Sequence, residues 1–318
     1  MTGKSVMKDA ASKFDADLTD LGQDEWLAQL EDVAEEYGYF ENLGPDHMAA
    51  FIDEGTKLLV TFETVNTAHK LNHDEEPIGF TFVREEGWSH LAILATKNSW
   101  FRDRYVYGYF DRLVDDGFFE DFDSVLFYGA GMGGYAAAAY SVAAPGAQVL
   151  ALRPFATLDP RVTEWDDRFR KMRRTSFTDR YGYAPDMIDA VDRATIVYDP
   201  RQQLDAMHAA MFTKSNVTKL RVPNLGDTIE RDLAGMHLLA PMIVAAMDGK
   251  LTAAAFARLY RKRQSHLPYL RALLHITENR ARPDLTRRVC EFVLRERQRP
   301  LFRRKLEELD ALAAPVGE

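Results

Sequence analysis

The stretch Ser124-Val-Leu-Phe-Tyr128-Gly129-Ala-Gly131-Met132-Gly133-Gly134-Tyr-Ala-Ala-Ala-Ala-Tyr140 passes from an apolar, β-prone segment through four glycines into an alanine-rich segment. This predicts a strand, a very tight turn and the start of a helix, an arrangement that aims backbone N–H groups outward at a ligand. Gly129, Gly131 and Gly134 fit the spacing G-x-G-x-x-G of a dinucleotide-binding turn. Such a site needs an acidic residue at the end of the next strand for the ribose 2′-hydroxyl. Here that strand ends in Arg153, which suits the 2′-phosphate of NADP instead. Against this reading, the dinucleotide turn usually opens its sheet, whereas the apolar runs 57–63 and 89–95 come first.

Working outward, residues 1–22 read as a loose tail, and 23–39 as a helix with Trp26, Leu27, Leu30, Val33 and Ala34 on one face. Strands are predicted at 57–63, 89–95, 124–128, 147–152, 194–199 and 217–222, with a further short extended piece at 78–83. A helix is predicted over 105–116. Strands alternating with helices imply an α/β fold, a mostly parallel sheet with helices on both faces. Residues 23–250 would form this domain. From 251 to 318 the periodicity is helical, punctuated at Pro268, Pro283 and Pro300, which predicts an appended bundle of three or four helices.

The chain has 318 residues, 28% of them charged, and a net charge of −9. Residues 251–318 run the other way, with 15 Lys/Arg against 8 Asp/Glu. Acids and bases interleave along these predicted helices, so the bias reads as a solvated face and argues against nucleic acid as a partner. No apolar run approaches the roughly 20 residues that span a bilayer, and residues 1–20 lack an apolar signal core. The sequence therefore predicts a cytoplasmic protein without a membrane partner. A single cysteine, Cys290, excludes an intrachain disulfide. Neither H-E-x-x-H nor C-x-x-C occurs, so no metal is called for.

The segment Phe127-Tyr-Gly-Ala-Gly131-Met-Gly-Gly-Tyr-Ala-Ala137 resembles the nucleophile elbow of α/β-hydrolases of the GxSMGGYAA type. The resemblance covers residues 55–245 and implies a triad in the chain order nucleophile, acid, histidine. It places Asp199, after a late strand, at the acid position and His237, after the last strand, at the histidine position. The nucleophile position is occupied by Gly131, which has no side chain to be activated. Glycine relieves the strain that an elbow imposes on other residues, about 1–3 kcal/mol. The N–H groups of Met132 and Gly133 remain as an anion-binding or oxyanion-type pair.

These residues lead to a non-hydrolytic protein, without a cofactor, that binds a small molecule or a protein partner around the turn. NADP binding through Gly129, Gly131, Gly134 and Arg153 is the alternative, and a residual hydrolase in which His237 and Asp199 activate water is the third reading. Ser141 lies too far into its helix to replace the nucleophile, and nothing in the sequence marks Ser89 or Ser99 as activated. Asp205 and His208 fall on one helix face and read as a surface pair. Residues 98–101 after one strand would line the mouth of a cleft, and the charged insertion 165–174 would cap it.

Overall fold

The computed structural model describes residues 14–70 and 72–313. Eight strands form one sheet in the order β1-β2-β4-β3-β5-β6-β7-β8. They are β1 Gly38–Leu43, β2 His47–Ile52, β3 Lys57–Thr64, β4 Ser89–Ala95, β5 Ser124–Ala130, β6 Gln148–Leu152, β7 Arg193–Tyr198 and β8 Val217–Arg221. From β4 to β8 every pairing is parallel, while β2 runs antiparallel to both β1 and β4. The expected α/β class, with helices on both faces and a helical C-terminal region, is the fold observed.

Two expectations need correction. The hairpin β1–β2 was not foreseen, so the glycine turn follows the fifth strand. Residues 78–83 are not extended; Phe80–Glu86 is a helix closed by Gly87 at φ +64°. Its Phe80, Phe82 and Val83 all turn inward, a spacing that alternation and helix share over so short a run. Of the segment read as a loose tail, residues 1–13 lie outside the described residues. Phe14 and Leu18 are buried, and Phe14 packs edge-on against Phe80.

One sheet face carries the helices Arg104–Asp115 and Met132–Tyr140, packed around Phe62, Phe110, Phe127 and Tyr140. The Met132–Tyr140 helix is buried along its length, with alanines that let it lie close to the strands. The opposite face is covered by Ile229–Gly235, Leu239–Met247 and four C-terminal helices, Ala253–Leu259, Leu267–Asn279, Pro283–Glu296 and Pro300–Ala313. Among the described residues no helix is long and apolar enough to cross a membrane.

Candidate functional site

Strand order fixes where a ligand can sit. The chain leaves β3 for β4 on one side and leaves β5 for β6 on the other, and its connecting helices lie on opposite faces. In open α/β sheets this reversal opens a crevice outside the carboxyl ends of the two strands. The carboxyl ends of β3 and β5 carry Glu63 and Gly131.

Gly131 lies between β5 and the helix Met132–Tyr140 at φ +57°, ψ −114°, a conformation costly for residues with a Cβ. Its N–H donates to Leu152 O (2.8 Å) and its carbonyl accepts from Tyr135 N (3.1 Å), so the turn is pinned on both sides. No backbone acceptor takes the N–H of Met132 or Gly133 among the described residues. The neighbouring glycines serve packing: a Cβ at Gly129 would come within 2.3 Å of Gly133 C, and one at Gly133 within 2.1 Å of Phe62 O. At Gly134 a Cβ would approach Leu152 O to 2.9 Å.

Arg153 follows β6 at φ +48° and donates its N–H to Val197 O (2.7 Å). Its side chain folds back over the turn, with Nη2 3.4 Å from the place a Cβ on Gly131 would occupy. Nη1 lies 3.9 Å from Asp205 Oδ2, which has no hydrogen-bond partner. Gly131, Met132, Gly133 and Arg153 therefore come together.

Neither Asp199 nor His237 is hydrogen-bonded or ion-paired to this group. Asp199 is fully buried, and its oxygens accept the N–H groups of Arg201 and Gly226, both at 2.8 Å. It holds the β7 and β8 loops together. His237 is exposed at φ +53° after the helix Ile229–Gly235, where its carbonyl accepts from Lys262 Nζ. No hydrogen bond or ion pair joins the two, so the water-activating pair is not assembled.

Asp205 and His208 are not a surface pair; both are buried. His208 Nδ1 accepts from Ala156 N (3.1 Å), which leaves Nε2 to donate to Asp166 Oδ2 (2.9 Å). A ring whose two nitrogens are both engaged cannot serve as a base. Arg168 joins the group, reaching Asp166 at 2.7 Å and Asp205 at 2.6 Å. The 165–174 insertion thus anchors on the helix Gln203–Met211, a contact between distant segments that helix periodicity cannot show.

Sequence reasoning missed the polar group beneath the crevice. Tyr128 and Thr61 are register partners on β5 and β3. Tyr128 donates to Glu230, in the first turn of Ile229–Gly235. Thr61 Oγ1 donates to Glu63 Oε1 (3.0 Å) and lies 2.9 Å from His90 Nε2; Asn72 Nδ2 donates to Glu63 Oε2 (2.8 Å). Burial raises the Glu63 carboxyl to about 7, against the opposing pull of its hydrogen-bond donors, and Glu230 also shifts upward through burial. His90, buried in the same way, falls to about 3 and stays neutral. Only a lone polar residue near each strand end could have signalled this cluster.

Glu63 gives a pH prediction. Its folded pKa lies above the unfolded value of about 4.3, so between those values the folded state holds a proton that the unfolded state lacks. The group therefore withdraws stability as pH rises from about 4.3 to 7, by about 3 kcal/mol in all. In Glu63→Gln that part of the pH dependence is absent. Urea denaturation of both proteins at pH 5 and pH 8 checks this, and parallel pH profiles would contradict it.

Ser99 Oγ lies 2.7 Å from His47 Nε2, a pair the sequence did not suggest. Ser99 Oγ also accepts the N–H of Phe101 (3.1 Å) within a loop where Trp100 and Phe101 both have positive φ. His47 Nδ1 has no hydrogen-bond partner, so no acid orients this imidazole as a base.

No protein-family model matches the sequence, and no curated protein matches it. Among solved structures, an esterase from Pyrobaculum calidifontis is similar at 12% identity and TM-score 0.45, covering 73% of this chain and 95% of that one. The acetyl xylan esterase from Paenibacillus sp. R4 is similar at 13% identity and TM-score 0.39, covering 73% and 98%. The capsule O-acetyltransferase of Neisseria meningitidis serogroup A is similar at 12% identity and TM-score 0.38, covering 58% and 87%. At these values the likenesses carry nothing about activity, and the fold stands on its own strand order and register.

Proposed function

We propose that this chain is a non-hydrolytic protein of α/β-hydrolase type whose β5 turn binds an anionic group of a small ligand or partner. The observation that carries the reading is the Arg153 guanidinium, 3.4 Å from the place where a nucleophile's side chain would start. A cation and two unpaired N–H groups at a helix start suit a carboxylate or a phosphoryl group. An acyl-transfer turn would instead need a hydroxyl with an oriented imidazole beside it; Gly131 offers no hydroxyl, and the Asp199 carboxylate is occupied by the N–H groups of Arg201 and Gly226. Gly129, Gly133 and Gly134 are taken up by helix packing, so they lend no separate support to NADP. Arg153 leans toward the turn, where a pyrophosphate rather than a 2′-phosphate would lie.

The test has two parts. Gly131→Ser introduces the missing hydroxyl and is expected to remain unlabelled by a fluorophosphonate probe, because no base accompanies it. Labelling of that variant would show a working base at the turn and overturn the non-hydrolytic reading. A crystal of the wild-type protein grown in phosphate should hold the anion on Met132 N, Gly133 N and Arg153. An empty turn there, with phosphate ordered elsewhere, would overturn the anion-binding reading.

A further inference from the structure

The sheet ends at β8, and the segment 253–264 runs along that edge. Between them lies an open groove of about 900 Å³. Its lining includes Arg201, Lys219, Arg221, Arg261 and Arg263, and no carboxylate. None of these five forms an ion pair among the described residues. Elsewhere cations pair routinely, as Arg168 does with Asp205, Lys214 with Asp189 and Lys305 with Glu278. The nearest acid in sequence, Asp199, is buried and occupied by two backbone N–H groups. In a chain of net charge −9, five cations gathered in one groove without a carboxylate in its lining make a local positive surface.

The floor adds a second observation. Phe256 and Tyr260 stack at 5.2 Å, and the Arg263 guanidinium lies 4.7 Å over the Tyr260 ring while donating to the Tyr260 carbonyl. That contact holds the guanidinium plane in place before any ligand arrives. The Tyr260 hydroxyl is buried and has no hydrogen-bond partner. Arginine forks match pairs of phosphoryl oxygens. Phe256 and Tyr260 are only 4% and 5% exposed, so neither ring is open to stack a base, as single-stranded nucleic acid sites require.

We propose that the β8-edge groove binds a compact ligand carrying several phosphoryl groups, held by Arg201, Lys219, Arg221, Arg261 and Arg263. This site is built on different elements from the β5 turn. Calorimetric titration of the full chain with sodium tripolyphosphate, at about 0.15 M salt where free charges are screened, should show a groove component separate from any binding at the β5 turn. The exposed pair R221A/R261A should weaken that binding about 100-fold, the loss of two charge-assisted hydrogen bonds. Arg153→Ala removes the turn component and should leave the part that depends on Arg221 and Arg261 in place, which separates the groove from the turn. Titration with sulfate at equal ionic strength should give no comparable heat. Equal heats from sulfate and tripolyphosphate, or equal affinity in R221A/R261A, would overturn the proposal. So would a short single-stranded RNA that binds the groove and resists displacement by tripolyphosphate.

Discussion

Gly133→Ala destabilises the fold by about 3 kcal/mol, even though alanine favours a helix over glycine by about 1 kcal/mol. The added carbon would sit 2.1 Å from Phe62 O and 3.1 Å from Phe62 C. Both are backbone atoms of β3, which is paired on both sides by β4 and β5, so they cannot give way. The helix must move instead, and it is buried from Gly133 to Tyr140. Its Tyr140 stacks on Phe62 at 5.5 Å and donates to Phe101 O at 2.5 Å, so a shift spreads through the core. The clash therefore outweighs the propensity gain. Urea midpoints of the two proteins read the difference, and an unchanged or raised midpoint would mean that the strand and helix separate freely.

Asp166→Ala removes the centre of a buried charged group and is expected to cost about 3–5 kcal/mol at neutral pH. Its carboxylate accepts from Arg168 Nη2 at 2.7 Å, Arg168 Nε at 3.0 Å and His208 Nε2 at 2.9 Å. Without it, Arg168 keeps only Asp205, and a fully buried imidazole N–H is left without an acceptor. The same residue sets a pH dependence. Burial raises its pKa, but the bonds from His208 and Arg168 outweigh that and hold it well below the ordinary carboxylate range. A depressed folded pKa contributes stability that is complete above the unfolded value of about 3.9 and is lost as pH falls below it. The wild-type and Asp166→Ala curves should thus lie furthest apart at neutral pH and draw together in acid. A gap that stays constant down to acid pH would contradict the linkage.

The strand-turn-helix core was legible because both of its signals are local: an apolar run before the turn, and glycines where the helix and strands meet. The hairpin β1–β2 escaped because β2, His47-Met-Ala-Ala-Phe-Ile52, is buried at every position and shows no alternation. Arg153 was visible as the residue after its strand, although its inward lean over Gly131 depends on a positive φ that no pattern announces. Asp199 and His237 occupied the right order along the chain, but order does not set distance. The buried polar groups join segments far apart, such as Tyr128 with Glu230 and Asp166 with His208, and each member alone is an ordinary polar residue.

The C-terminal helices belong to the sheet they cover. Cys290, Val293 and Phe302 share one apolar cluster with Leu126, Leu150 and Val197, residues of β5, β6 and β7. The helix Leu239–Met247 already lies against β5 and β6, and the later helices stack outward on one another from there. A premature stop ahead of Phe302 would therefore uncover Cys290 and Val293 on the helix beneath, giving chaperones and proteases an apolar surface rather than yielding a smaller working protein.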